Sequence, residues 1–577
     1  MLAKLTFFYM KFSDLLGFLK LNKVMCYVLL LITYEGTLVV EARDLSLSRG
    51  TNSISDFCHN RKRLSKENIN PKKSIVLHKD LPFIDQVVYP NTIYEIYHDF
   101  VLNTYISLPH GCTLRFYGGK IIGGSINGNN SIISNNTNKP IFSGVEICDF
   151  KNLKYWYFDE TYTGDDILRY CIEANDIVDF EGNVFGITQT VVINKSITIR
   201  NLSLVNKAEN LEVMLLIRPD PNKLSYFCAE EISLDGNFKS SIGLDIFYVT
   251  NAIVKDCLLH NFFDTNGLGA IGINATRVDD LCINKCDICN IVGVPNGIVG
   301  DSAGASRAIS IANCNKVSIS DCYIRDVVSD EDGDAIHLIN NDFMINDPAE
   351  VIYSKMINNC KIMSISRSCI KVQSKGVIIK KNTLLNDELR EGQQMIRVYA
   401  SNCRVINNTI KFKFPFAVWL GQTKEQCIAN CRVERNKFIT PGYAYQAPIC
   451  SLCNLHNIKI RGNKIDITNH ESTYYGIYLR GSMTECVVSN NRINLTSNKA
   501  FAINFRTESH DSSLNDLQIV KNKQNGGHAF AIFQSNRGKM YKNILFNSNK
   551  FNSQIVKSSD VIISPFADVI TNNIIFN

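Results

Sequence analysis

From about residue 240 onward the chain repeats a short phrase: a small residue, an apolar residue, a variable residue and a second apolar residue. It runs as Gly243-Leu244-Asp245-Ile246, Ala308-Ile309-Ser310-Ile311, Ala335-Ile336-His337-Leu338, Cys369-Ile370-Lys371-Val372, Met395-Ile396-Arg397-Val398, Ala417-Val418-Trp419-Leu420, Gly476-Ile477-Tyr478-Leu479 and Ala502-Ile503-Asn504-Phe505. Apolar positions that alternate with variable ones have the period of a strand, so each phrase predicts one strand with its apolar pair turned inward. A second strand follows each phrase and ends at Cys257, Cys286, Cys322, Cys360, Asn382, Asn408, Asn436, Asn463, Asn491, Asn522 or Asn549. These ends are separated by 22 to 38 residues, the length of one coil of a parallel β-helix whose loops absorb the variation. The stack of Asn predicts a tight turn in which each Asn takes the left-handed conformation and bonds the Asn one coil away.

Upstream, residues 92–148 alternate short apolar stretches with Gly and Asn clusters, as in Thr113-Leu114-Arg115-Phe116-Tyr117-Gly118-Gly119 and Ser125-Ile126-Asn127-Gly128. They predict either a small β module or the first coils of the helix. In the segment Thr163-Gly164-Asp165-Asp166-Ile167-Leu168-Arg169-Tyr170-Cys171-Ile172, residues Ile167, Leu168, Cys171 and Ile172 form one stripe. Thr163 and the two Asp stand where a helix N-terminus favours a cap and negative charge. The organisation read from this is a signal at 1–42, a linker at 43–91, the β module or first coils at 92–150, and the solenoid at 151–577. The signal rests on Lys20 and Lys23, the apolar run Val24 to Ile32, and the small-residue end at Val40-Glu41-Ala42. That run is short for a membrane span, so export is expected rather than anchoring.

Trp156-Tyr157-Phe158, the Gly-Asp-Asp helix start and the strand-Gly-aromatic run Val178 to Ile187 together resemble the opening segment of the pectate-lyase-like superfamily. This resemblance covers roughly 150–577 and implies an all-β fold, a right-handed single-stranded parallel β-helix with an N-terminal capping helix. The superfamily holds polysaccharide lyases, polygalacturonases, epimerases and phage tailspikes, so the fold alone does not choose among activities.

Composition changes the picture in two places. Twenty cysteines in an exported chain would ordinarily suggest disulfides, but Cys257, Cys322 and Cys360 share the phase of the later Asn and so read as stacked, buried, free thiols. Cys427 with Cys431 and Cys450 with Cys453 are the pairs that could close locally, while Cys282, Cys286 and Cys289 only mimic zinc spacing. The net charge of +6 is too mild to imply a polyanion by itself, so placement matters more.

If the apolar pair of each phrase points inward, the residue between points outward, and successive coils stack these residues about 4.8 Å apart. The column reads Asp245, Gly272, Ser310, His337, Lys371, Arg397, Trp419, Ser451, Tyr478 and Asn504, with Gln373, Tyr399, Arg480 and Arg506 two residues on. A row of cations beside an exposed Trp suits the carboxylates and ring faces of an acidic glycan. A lyase needs a base for the proton α to the carboxylate and a cation for the enolate. Lys371 is read as the base, Arg397 and Arg480 as carboxylate holders, His337 or Tyr399 as proton donor, and Trp419 and Tyr478 as sugar platforms, with Arg506 and Gln373 also lining the groove.

The loop Asp330-Glu331-Asp332-Gly333-Asp334 at the rim is open to three readings: a solvated turn, a Ca²⁺ site of Asp330, Asp332 and Asp334, or a paired-carboxylate hydrolytic site. The polygalacturonase resemblance is partial here, since Gly333, Ser310 and Ser368 stand where that family has two acids and a His. The resemblance to polysaccharide lyase family six is likewise one of groove and charge. Aligning Asn382-Thr383 puts Gln373 at that family's Lys, and aligning Cys403 puts Val398 at its Arg. The expectation is a secreted protein acting on an acidic polysaccharide, most readily a lyase, with a polygalacturonase-type hydrolase or a non-catalytic, tailspike-like glycan binder as alternatives. No nucleotide loop or membrane-spanning segment competes.

Overall fold

The computed structural model describes residues 73–221, 225–264, 269–293, 305–329, 332–341, 354–386, 394–413, 416–441, 447–468, 474–507, 513–535, 541–563 and 574–577, together with two short strands near the N-terminus. Those two, Leu31–Ile32 and Leu38–Val39, pair antiparallel within a first unit, Met1–Pro71. The secretory reading of 1–42 otherwise lies outside the described residues.

In the second unit, Lys72–Asn577, each coil lays one strand in each of three parallel sheets. The first full coil runs Ile177–Asp179, Val184–Ile187, Val191–Ile193, and the next coil places Ile197–Arg200, Ser203–Asn206 and Leu211–Ile217 beside them in order. Continued to the C-terminus, this builds sheets of 15, 15 and 14 strands among the described residues, the architecture of a parallel β-helix. The inward apolar residues of the repeated phrase form a continuous core line, Leu244, Ile273, Ile309, Ile336, Ile370, Ile396, Val418, Ile449, Ile477 and Ile503, each fully buried. A fourth, short ladder begins at Cys427–Ala429, between the third sheet and the first.

The Asn column is a hydrogen-bonded ladder. The Oδ1 of Asn408 accepts from both the backbone N and the Nδ2 of Asn382, at 2.9 and 3.0 Å, and Asn408 Nδ2 donates to Ile379 O at 3.0 Å. The same pattern repeats through Asn436, Asn463, Asn491, Asn522 and Asn549. Each interior amide therefore uses all its donors and acceptors inside the core, which is what makes its burial tolerable. Cys257, Cys286, Cys322 and Cys360 continue the line as buried free thiols, each with Sγ against carbonyls of its own and the preceding coil. Cys427, Cys431, Cys450 and Cys453 are free as well.

One expectation about this turn is corrected. The left-handed residue is not the ladder Asn but the one before it: Lys381, Asn407, Arg435, Asn490, Lys521 and Ser548 all have φ between 54° and 58°, and Gly462 has φ 66°. That residue turns the chain so that the Asn side chain points inward; its own side chain points to solvent, so several residue types tolerate the strain.

The pairing starts at Ser74–Val76, which lies beside Ile93–Ile96, so parallel strands begin inside the stretch read as a linker and continue to Glu146–Lys151. The expected helix forms at Gly164–Ala174. Asp166 N donates to Thr163 Oγ1 at 3.2 Å and Thr163 N to Asp166 Oδ2 at 3.3 Å, a reciprocal cap worth about 1 kcal/mol. Buried Asp165 accepts from the Thr188 backbone and hydroxyl, tying the helix to the coil beneath. Gly164 lies against Gly186 O, where a Cβ would come within 2.4 Å, so this approach excludes any side chain. No helix among the described residues is long and apolar enough to cross a membrane.

Candidate functional site on the outer face of the third sheet

The outward column of the third sheet is paired residue by residue as Asp245, Asn274, Ser310, His337, Lys371, Arg397, Trp419, Cys450, Tyr478 and Asn504. Two expected members are corrected: Asn274 replaces Gly272 and Cys450 replaces Ser451. The first coil contains two overlapping matches to the repeated phrase, Ala270 to Ile273 and Gly272 to Ala275, the second matches it imperfectly in either phase, and the strand pairing selects the register. Gly272 instead sits at the small position, where a Cβ would meet Ala308 O at 2.7 Å, and Ser451 is fully buried beside Arg480 N.

His337, Lys371 and Arg397 do lie in one row, but the expected open, solvent-facing row is not what forms. His337 and Arg397 are each 5 % exposed, and the Lys371 side chain is 12 % exposed. Burial of these charges is possible because an acid enters the row. Asp332 takes the Lys371 ammonium at 2.6 Å, Arg307 at 3.7 Å and Arg397 at 3.9 Å. Asp334, fully buried and paired in register with Arg307 and Ser368, meets Lys371 at 3.5 Å. Unpaired, such charges would cost several kcal/mol to bury, on the order of 3–5. Asp330 lies outside the described residues.

The electrostatics divide the two carboxyls. Burial opposes ionisation of Asp332, but the Lys371 ammonium, with Arg397 and Arg307, overcomes it and holds the carboxyl down at about 2. Burial and the neighbouring Asp332 charge push Asp334 above the ordinary carboxylate range despite the same cations. Burial, then Arg307 and Lys371, depress His337 to about 3, so its imidazole is neutral near pH 7. His337 Nε2 is 2.7 Å from Gln373 Oε1. An amide oxygen only accepts, so Nε2 carries the hydrogen and Nδ1 keeps the lone pair.

Polar atoms without a hydrogen-bond partner among the described residues gather at this place: Ser306 Oγ, Arg307 Nε, both Asp334 oxygens, His337 Nδ1 and Ser368 Oγ, all on three neighbouring coils. Buried polar groups are nearly always satisfied by protein, water or an ion, so this cluster is where the sheet could hold such a group. Sequence reading missed Arg307 and Ser306, and named Ser368 only as the residue standing where the polygalacturonase resemblance would place a His. Arg307, Asp334 and Ser368 each stand three positions before an outward residue, Ser310, His337 and Lys371, and are paired with one another in register, with Ser306 beside Arg307.

Beyond Arg397 the face turns aromatic. Trp419 packs edge-on to Phe416 at 4.7 Å, its Nε1 donating to Gly421 O at 2.7 Å. Two coils further Tyr475 lies 5.2 Å from Tyr478 and 6.0 Å from Phe501. Arg480 stands over the Tyr478 ring at 5.8 Å and Arg506 donates to its hydroxyl at 3.3 Å. The expected residues thus divide into a charged group, His337, Lys371, Arg397 and Gln373 with Asp332 and Asp334, and an aromatic group, Trp419, Tyr478, Arg480 and Arg506. Tyr399 is buried one coil on from Gln373. The clefts beside the cap helix, lined by residues such as Cys148, Glu173 and Lys195 or Asp165, Arg169 and Gln189, share no residue with either group.

No protein-family model and no curated protein matches the chain. Among solved structures, the A-module of the mannuronan C-5 epimerase AlgE6 of Azotobacter vinelandii aligns over 70% of this chain and 96% of its own, at 11% identity and a TM-score of 0.30. A mannuronic acid specific polysaccharide family 6 lyase from human gut microbiota aligns over 68% and 79%, at 11% identity and a TM-score of 0.26. DFA-IIIase from Arthrobacter chlorophenolicus A6, without its lid, aligns over 69% and 93%, at 9% identity and a TM-score of 0.26. Likenesses of this size carry neither family nor activity to the chain. Its class, a parallel β-helix with a buried charged cluster on the outer face of one sheet, rests on its own strand pairing and side-chain geometry.

Proposed function

We propose that this is an exported protein that cleaves an acidic polysaccharide by β-elimination next to a uronate carboxylate. The observation that supports the reading is the convergence of Arg307, Lys371 and Arg397 on one carboxylate, Asp332, beside a neutral imidazole. A substrate carboxylate would exchange into the place that the Asp332 carboxylate fills. The cations would then stabilise the charge that builds on the substrate when the α-proton leaves. Lys371 suits this role better than that of base, because its Nζ already donates to Asp332 Oδ2 at 2.6 Å. The base in this reading is His337 Nδ1. It takes the proton on C5, the C–H electron pair becomes the C4–C5 double bond, and the C4–O bond breaks with its electrons going to the leaving sugar oxygen. Tyr399 is the candidate to protonate that oxygen, and Trp419 and Tyr478 the platforms for the neighbouring rings.

A hydrolytic reading is favoured by one specific feature, the opposite shifts of Asp332, held down by its cations, and Asp334, pushed up by burial and the Asp332 charge, since paired carboxyls divide the base and acid roles in this way. Incubation with a panel of polyuronates separates the readings. Elimination yields a product with a new near-ultraviolet absorbance, hydrolysis yields reducing ends without it, and binding without either product would leave a non-catalytic glycan-binding protein.

A further inference from the structure

The second sheet carries a different feature on its outer face. Lys437, Lys464, Arg492, Lys523 and Lys550 are paired in strict register on five successive coils, and all five are exposed. Each immediately follows a ladder Asn: Asn436, Asn463, Asn491, Asn522 and Asn549. Because those amides are locked to one another in the core, the cation backbones cannot slip in register, and the positive charges are held at the strand spacing of about 4.8 Å. The same column continues upward as Thr409, Thr383 and Lys361, so it passes through eight coils without an acid. Lys381, Arg435 and Lys521, exposed on the turn, flank it. Among the described residues one acid answers the five cations, Asp466, which meets Lys464 at 3.1 Å.

Like charges directly opposite one another on adjacent strands repel, and nothing in the fold requires cations there. We infer that this column is a binding track for a linear anionic polysaccharide lying along the axis of the β-helix, separate from the third-sheet cluster. A polyuronate presents one carboxylate per sugar in a straight chain, a repeat comparable with the strand spacing, so successive rings meet successive coils. The geometry disfavours single-stranded nucleic acid, whose generic recognition uses aromatic stacking platforms: the five cations and the next outward column, Ile439, Asp466, Asn494 and Asn525, contain no aromatic residue. The track would hold the polymer while the third-sheet cluster acts on it; only the identity of the polymer rests on the proposed function, and the charge pattern stands without it.

The test uses the full chain and the triple variant Lys464→Gln, Arg492→Gln, Lys523→Gln, with Arg397→Gln as the third-sheet control. Affinity is measured for a size-defined polyuronate, for its carboxyl-reduced counterpart and for an oligothymidylate, over a salt series. The triple variant should bind the polyuronate about tenfold more weakly, with the slope of log affinity against log salt reduced by about two, while its rate on a short oligouronate stays unchanged. Unchanged polyuronate affinity in the triple variant would overturn the track, as would equally tight binding of the reduced polymer. Binding of the oligothymidylate with the same loss on substitution would assign the track to nucleic acid instead. Loss of binding in Arg397→Gln alone would overturn the track and leave the third-sheet reading standing; loss in the triple variant alone would support the track, and the third-sheet reading would then stand or fall on the rate of Arg397→Gln.

Discussion

His337 shows what the surroundings do to a single residue. Its ring is buried among Arg307, Lys371 and Asp332, bonded to Gln373, and held neutral down to about pH 3, against an ordinary value of 6.5. Between those two values the unfolded chain carries a proton on this ring and the folded chain does not. Stability contributed by the neutral ring is therefore complete above 6.5 and is lost as pH falls toward about 3, at about 1.4 kcal/mol per pH unit. Asp332, depressed to about 2, adds a loss of the same sign only below the ordinary carboxylate range. Urea denaturation at about pH 6 and about pH 4.5 should show a steeper pH dependence in the native chain than in His337→Gln, by roughly that amount per unit. Equal slopes in the two proteins would contradict a buried neutral ring.

At the scale of elements, the ladder decides register and the repeated phrase decides which side faces out. Asn436→Ala removes the acceptor of two Asn408 donors and the donor to Val405 O, leaving buried groups unmatched. Equilibrium unfolding should register a loss of about 2–4 kcal/mol. Asn382→Cys should cost less, because it lengthens the thiol column that ends at Cys360, and a sulfur can accept the bond from the next backbone N, as Cys431 Sγ does from Cys403 at 3.3 Å. Costs in the reverse order would mean that the amides are not what holds the turn. Much of this architecture is legible in the sequence, since one residue type kept at one phase through coil after coil has few explanations other than a stack. The cap helix is legible too, from Thr163 and two Asp ahead of an apolar stripe.

The interior of the charged cluster is not legible in the same way. The phase puts His337, Lys371 and Arg397 in one row, but their burial depends on Asp332, dozens of residues from its partners Lys371 and Arg397, and on Arg307, one coil earlier. Asn274 and Cys450 escape the pattern for a simpler reason: the phrase matches in two phases around Asn274 and in neither phase fully around Cys450, and only the pairing of Leu244 with Ile273 and of Val418 with Ile449 fixes the register. The left-handed turn residue is displaced by one from its expected place because Asn is the type most often found in that conformation, whereas here the recurring geometry rests on its predecessor and the Asn serves the core.

Over the second unit, charged and aromatic groups are laid out in turn along the solenoid axis. Coils carrying Arg307 to Arg397 hold the charges, coils carrying Phe416 to Phe501 hold the rings, and the second sheet presents its cations alongside. In the charged coils the Lys371 ammonium already bonds Asp332 and lies 3.5 Å from Asp334, the two carboxyls that a divalent ion would need. Turnover of a polyuronate should therefore survive treatment with a chelator; loss of activity restored by Ca²⁺ would put the ion in the place of the ammonium. The most direct measurement is the initial rate of near-ultraviolet absorbance gain on a polyuronate, for the native chain and for Arg397→Gln with its fold checked by circular dichroism. The account predicts an unsaturated product from the native chain and a rate at least about a hundredfold lower in the variant. No unsaturated product from any uronate polymer, or equal rates in the two proteins, would contradict it.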